Sequence, residues 1–366
     1  MSNSNNINGA VSGAISLVGN LTVSLGVDDT CKKMLEGEDV EVTLDATTLS
    51  GTMGGIELSM PKTTGIGDEY FAGYKLKSID APKVTTVGEK AFYTANIGDI
   101  EEGSFSKVTD IGENAFCACK AETSSVSFDH LTEVDEAQVF YQFKVKDLNL
   151  PELVTVTGAQ NTLCAYATGD FSVPKLTSLR YKEFANAKAG NLDLHGVTTL
   201  AGTTNNCAFY NVNVTGKLDL RNFVGTDNTD AGSASGYTLL HSAKFGEADL
   251  SSLKYANYYD FYMTQCDEVH LPALEIAGNS SFNSTKIKKV YLDKVTAIKA
   301  YAFAGSSYLT DIYIGSASVP TVASTAFNSA LGTLKVHVPS ALLASYQADS
   351  GWSAFSSRLV GDYDPA

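Results

Sequence analysis

The chain is poor in charge, proline and tryptophan. Asp, Glu, Lys and Arg make up only 18% of its 366 residues, with 8 prolines and one tryptophan. No basic run exceeds two residues, and the 26 Lys and Arg are scattered among 41 Asp and Glu, for a formal net charge of −15. Such an acidic surface repels phosphate backbones and anionic bilayers, which excludes nucleic acid and membrane surfaces as expected partners. No apolar run is long enough for a transmembrane helix, so no membrane insertion is expected. No Lys or Arg precedes Lys32, and Ser, Gly and Asn interrupt every apolar run of the N-terminus. No secretory signal is read there; either a precursor segment has been removed or the protein reaches an extracellular or virion location by another route.

Chemical signatures are equally scarce. The six cysteines (31, 117, 119, 164, 207 and 266) are irregularly spaced, which suits reduced, buried thiols better than a disulfide framework. None of the five histidines (130, 195, 241, 270 and 337) has metalloprotease or zinc-finger spacing. Cys117-Ala-Cys119 follows an apolar anchor and reads as core. There is no nucleophile elbow, since "GSASG" at 232–236 has Ala at its centre, and no phosphate-cradling or dinucleotide loop. No catalytic residue, cofactor or metal site is expected. Carboxylates are plentiful, so a glycan-cleaving pair stays open as an alternative.

A repeat is abundantly present. "VTTVGEKAFYT" (84–94) returns as "VTDIGENAFCA" (108–118), "VTAIKAYAFAG" (295–305) and, loosely, "VPTVASTAFNS" (319–329). Anchoring on the Phe gives a column of large apolar residues: Phe71, Phe92, Phe116, Phe140, Leu163, Phe184, Phe209, Leu240, Phe261, Phe282, Phe303 and Phe327. Between anchors lie apolar-polar-apolar triplets such as "LNL" (148–150), "LDL" (192–194), "VHL" (269–271) and "VYL" (290–292). Each triplet has the period of a short strand with one buried face. One such unit cannot bury its apolar residues alone, whereas stacked units can. The spacing therefore predicts a repeat solenoid, with a parallel β-ladder of about 12 short strands and an internal aromatic stack.

These residues resemble the BspA-like leucine-rich repeats of bacterial surface proteins. "VKDLNLPELVTV" (145–156), "CDEVHLPALEIAG" (266–278), "VGEKAFYTA" (87–95), "IGENAFCAC" (111–119) and the ending "LKVHVPSALLASYQADSGWSAF" (334–355) carry the likeness, which covers about residues 65–355. It implies a right-handed leucine-rich repeat coil closed by a short C-terminal helix, in a protein that adheres to targets. The unit at Leu163 lacks its Phe, and the insertion "VGTDNTDAGSASGYT" (224–238) reads as a surface loop. Its Asp227, Asn228 and Asp230 lack EF-hand spacing.

Three segments are expected: a β-rich attachment or capping module over 1–60, the solenoid over 61–339, and a C-terminal cap over 340–366. In the cap, Ser340 is read as the N-cap of a short helix and Trp352 and Phe355 as its apolar cover. "INGAVSGAISLVGNL" (7–21) resembles N-terminal segments of phage tail-associated structural proteins, which implies virion attachment or homo-oligomer assembly through this module.

The polar centre of each triplet should point outward. This column runs through Asp80, Glu101, Ser127, Asn149 and Ser172 to Asp193, Asp219, Asp249, His270, Tyr291, Tyr313 and His337. The last seven are the candidate ligand-binding face, because exposed aromatics beside acids suit sugar rings or a protein hot spot. The expected function is non-catalytic recognition of a protein or glycan on a cell surface. The alternatives are a glycan-cleaving enzyme on a repeat scaffold and a purely structural assembly protein.

Overall fold

The computed structural model describes residues 15–17, 41–44, 56–158, 161–201, 207–225, 238–330 and 332–365. Most of the N-terminal module expected over 1–60, Cys31, the Asp227–Asp230 loop and nearly all of the 7–21 segment lie outside these residues. The chain forms two compact units, 1–172 and 173–366.

In unit 1, β1 (Ile15–Leu17) pairs antiparallel with β2 (Glu41–Leu44), and β2 with β3 (Ile56–Ser59). From β3 onward the sheet is parallel. It continues through β4 (Lys75–Asp80), β5 (Asn96–Ile100), β6 (Lys120–Ser127), β7 (Lys144–Asn149) and β8 (Asp170–Ser172). The ladder thus takes in Ile56–Ser59, just before the boundary expected at residue 61. Unit 2 repeats the plan with β9 (Asn191–Asp193), β10 (Asn213–Asp219) and β11 (Lys244–Asp249). A second run comprises β12 (Glu268–His270), β13 (Lys289–Leu292), β14 (Asp311–Ile314), β15 (Lys335–Val338) and β16 (Leu359–Gly361).

Each coil has three sides. The ladder strand is followed by a turn and a two-residue strand, such as Ala297–Ile298, which pairs with Ile276–Ala277 and Thr321–Val322. The third side is the turn that carries the anchor. The anchors stack as their period demands. Ring centroids lie 5.3, 5.0 and 6.0 Å apart from Phe71 to Phe140 in unit 1. In unit 2 they lie 4.4, 4.9 and 5.7 Å apart from Phe261 to Phe327. Leu163 and Leu240 fill the same position fully buried. Each fully buried ring of the column contributes about 2–3 kcal/mol through removal from water.

The anchor turn has an unusual backbone. The residues two before and two after the anchor have positive φ in most coils: Lys90 and Thr94 around Phe92, Tyr301 and Gly305 around Phe303. This alternation divides the N–H groups into two sets. Those of Ser280, Phe282 and Ser284 donate to carbonyls of the next coil, while those of Ser281, Asn283 and Thr285 donate three residues back within the turn. Every N–H of the turn from Ser280 to Thr285 is thereby paired. Lys, Thr, Gln and Tyr tolerate the left-handed conformation because these bonds fix it.

At the C-terminus, a 3-10 turn (Ser340–Leu342) leads into α1 (Leu343–Ala348). Trp352 is fully buried, donates from Nε1 to the Pro320 carbonyl at 2.7 Å and packs with Phe355 on Phe327. Ser340 does not cap the helix, contrary to its expected role. The 3-10 turn displaces the α-helical start to Leu343, and the Ser340 hydroxyl donates to Asp364 Oδ2 at 3.1 Å. No disulfide joins the five described cysteines. No described helix is long and apolar enough to cross a membrane.

Candidate functional site

The seven predicted face residues all belong to unit 2 and fall into two registered groups. Asp193 sits opposite Asp219, and Asp219 opposite Asp249. His270, Tyr291, Tyr313 and His337 follow one another in the later strands. Parallel in-register pairing stacks identical positions, so each residue lies directly over the next.

Each acid of the first group has a local partner. Asp193 Oδ1 pairs with His195 Nδ1 at 2.8 Å. Asp219 takes the Arg221 guanidinium in a fork, with Nε donating at 2.9 Å to Oδ1 and Nη2 donating to Oδ2. Asp249 Oδ2 accepts from Lys217 Nζ at 3.2 Å. Burial alone would raise the Asp219 and Asp249 carboxyls, but these bonds, with the Ser251 hydroxyl for Asp249, prevail and hold both below the usual range. Asp219 is only 7% exposed. It does not face solvent as its register suggests, because the forked Arg221 covers it.

The aromatic group is a continuous stack. Centroids are 4.0 Å apart for His270–Tyr291, 4.4 Å for Tyr291–Tyr313 and 4.4 Å for Tyr313–His337, with interplanar angles of 7°, 6° and 17°. Rings stacked in this way occupy one another's faces and turn only edges outward. Those edges are partly covered by the segment after β16. Tyr363 packs on Tyr313 at 5.2 Å and on Tyr291 at 6.2 Å, and its hydroxyl donates to Asp293 Oδ1 at 2.8 Å. His337, expected to face outward, is only 8% exposed. It is enclosed between Asp362 at 2.7 Å from Nδ1 and Asp311 at 3.0 Å from Nε2. Burial, followed by the charges of nearby Glu268 and Asp311, pushes the Tyr291 and Tyr313 hydroxyls up. Sequence reasoning missed Tyr363 and Asp362, whose partners are distant in the chain.

One ring face stays open. His270 is stacked on Tyr291 on one side only, and its side chain is 59% exposed. Its other side turns toward Asp249, where the ladder is interrupted. In the coils on either side the residue after the strand donates to the next coil, as Leu220 N–H does to Asp249 O and Leu271 N–H to Tyr291 O. The corresponding bond from Leu250 N–H to His270 O is absent, and a single bridge, Lys244 to Gln265, joins β11 to the following segment. The resulting groove has a volume of about 780 Å³, and Glu247, Asp249, Glu268, His270, Lys288 and Lys289 line it. No group of three or more His, Cys, Asp or Glu that could hold a metal occurs among the described residues.

The stacked coils, the anchor column and the laterally exposed ladder define a parallel solenoid of the leucine-rich kind. Residues 52–161 and 242–347 match the family described as "BspA type Leucine rich repeat region", in six copies. That is more than half of the chain, and the chain belongs to this family. Among solved structures it is similar to a leucine-rich repeat protein from Eubacterium ventriosum, at 15% identity over 81% of this chain and 93% of that one (TM-score 0.33). It is also similar to the pneumococcal vaccine antigen PcpA, at 15% identity over 86% and 89% (TM-score 0.33). A leucine-rich cell surface protein from Faecalibacterium prausnitzii matches at 14% identity over 90% and 98% (TM-score 0.23). No curated protein matches the chain.

Proposed function

We propose that the protein is a non-catalytic recognition protein that holds a cell-surface target in the groove at the interrupted ladder of unit 2. The observation that carries this reading is the groove itself. At about 780 Å³ it has the size of ligand pockets, about 300–1,000 Å³. It combines an open aromatic face (His270) with charged rims at a step where the ladder bonds are missing. A repeat protein with a closed ladder would offer only side-chain tips.

Its electrostatics disfavour glycan cleavage. A glycosidase needs one carboxyl held protonated near neutral pH beside a second that is ionised. Asp249, in the groove, is held below the usual range. Asp260, whose carboxyl burial raises, lies in an anchor turn and does not line the groove. The full chain should bind members of a panel of immobilised glycans and purified mucin. His270→Ala should weaken that binding at least tenfold with unchanged thermal stability, and incubation should leave the polysaccharides at full length. Binding that survives His270→Ala, or shortened products, would sink the proposal.

A further inference from the structure

We infer that Lys188, Asn213, Lys244, Gln265 and Lys286 form a track for a linear acidic polysaccharide that carries one carboxylate on every second sugar. This inference rests on the recognition reading above and names its ligand class.

The five residues occupy one position, four after the anchor, in consecutive coils of unit 2. Pairing aligns Lys188 with Asn213, Asn213 with Lys244, and Lys244 with Gln265. The alignment is fixed by the backbone. The N–H of Asn213, Lys244, Gln265 and Lys286 each donates to a carbonyl of the preceding coil, with Lys286 reaching Thr264 O at 2.8 Å. Lysines scattered in sequence are thus brought into line. The same position in unit 1 reads Lys75, Asn96, Lys120 and Lys144. In a chain of net charge −15, none of these positions carries an acid.

The track has a floor. Lys244, Gln265 and Lys286 line a hollow of about 370 Å³ together with Lys288, Asp267 and Tyr308. Lys288 and Asp267 pair at 2.6 Å and cancel. Lys244 and Lys286 have no ion-pair partner among the described residues, so the hollow keeps a net positive charge. Tyr308 is 56% exposed and supplies an open ring. The hollow shares Gly246, Asp267 and Lys288 with the larger groove beside His270, so one chain can occupy both.

Spacing selects the ligand. Coils of a parallel ladder repeat at about 4.8 Å, so the alternation lysine, amide, lysine, amide, lysine places a cation every ~9.6 Å. Two linked pyranoses span a comparable distance, and the exposed Gln265 between Lys244 and Lys286 supplies an amide for hydroxyls of the uncharged sugar. A nucleic-acid strand carries a charge every ~3.4 Å, about three phosphates per lysine, and does not match this spacing.

The test is fluorescence anisotropy of the full chain with labelled hyaluronan decasaccharide, which bears one carboxylate per disaccharide. Maltodecaose and single-stranded dT15 serve as comparators. Hyaluronan should bind, at least tenfold more tightly than either comparator, and more weakly as salt is raised. The Lys244→Gln/Lys286→Gln double variant should lose at least tenfold. Absence of hyaluronan binding, unchanged affinity in the double variant, or tighter binding of dT15 would overturn the inference. Binding of maltodecaose alone, lost in His270→Ala, would overturn it while leaving the recognition reading intact.

Discussion

Replacing Asp260 with Asn should remove the loss of unit 2 stability that ionisation of Asp260 causes as pH rises. Asp260 lies in the anchor turn of Phe261, at a position that is Ala91, Ala115, Ala208, Ala302 or Ala326 in other coils. It is 3% exposed. Oδ1 accepts the Leu239 N–H at 2.9 Å and Oδ2 the Asn257 N–H at 2.6 Å. Burial nevertheless dominates and lifts the carboxyl from 3.8 to about 7. That is a difference of about three pH units, or about 4 kcal/mol. Because the folded state holds this proton more tightly than the unfolded chain, the stabilisation is complete below pH 3.8 and is lost as pH rises through 7. The lowered carboxyls Asp147, Asp219, Asp249, Asp267 and Asp311 act only at more acidic pH. Asn cannot ionise, and it leaves one buried N–H poorly matched, at a cost of about 1–3 kcal/mol. Urea unfolding at pH 4.5, 6 and 8 should therefore show Asp260→Asn less stable than the parent at pH 4.5 and more stable at pH 8. Parallel stability curves for the two proteins would refute the argument.

The anchor stack and the left-handed turns give two further expectations. Phe282, fully buried and stacked 4.4 Å from Phe261 and 4.9 Å from Phe303, should cost about 3–5 kcal/mol as Phe282→Ala. Exposed Tyr308→Ala should stay within about 0.5 kcal/mol by the same chemical denaturation, and equal losses would contradict the stack. Thr94, an exposed β-branched residue at φ 56, occupies the position held by Gly73 and Gly305 in other coils. Thr94→Gly should raise stability by about 1 kcal/mol, since relief of left-handed strain exceeds the entropy lost by glycine. A lowered melting temperature would show that the turn is not strained there.

The anchor column, the triplet strands and the C-terminal aromatic cover were legible in the sequence because burial repeats at a fixed period. What the period cannot show is which neighbour reaches across. Asp219 and His337 have the outward register of their column, yet Arg221 and the carboxylates of Asp311 and Asp362 enclose them. The Tyr363 contact to Asp293 spans 70 residues and has no local signature. The left-handed turn residues include Lys, Gln, Thr and Tyr, none of which announces a positive φ. The lysine track could have been found by extending the same alignment four residues past each anchor; counting charge along the chain concealed it.

The break in the ladder coincides with a change in column chemistry. Up to Asp249 each acid is held by a neighbouring side chain, Asp193 by His195, Asp219 by Arg221 and Asp249 by Lys217, and from His270 onward each ring is held by the next ring. Between Asp249 and His270 neither mechanism operates, and there the strand bonds are lost as well. The turn and two-residue strands still pass through this coil intact: Leu240 N–H donates to Asp260 O, and Tyr255–Ala256 pairs with Ile276–Ala277. Two sides of the coil therefore hold their spacing while the third opens. A solenoid can in this way build a groove by omitting the outer interactions of one step while leaving its internal stack unbroken. The groove's position is then set by which residues face outward, so the groove can change without disturbing the anchors that fold the chain.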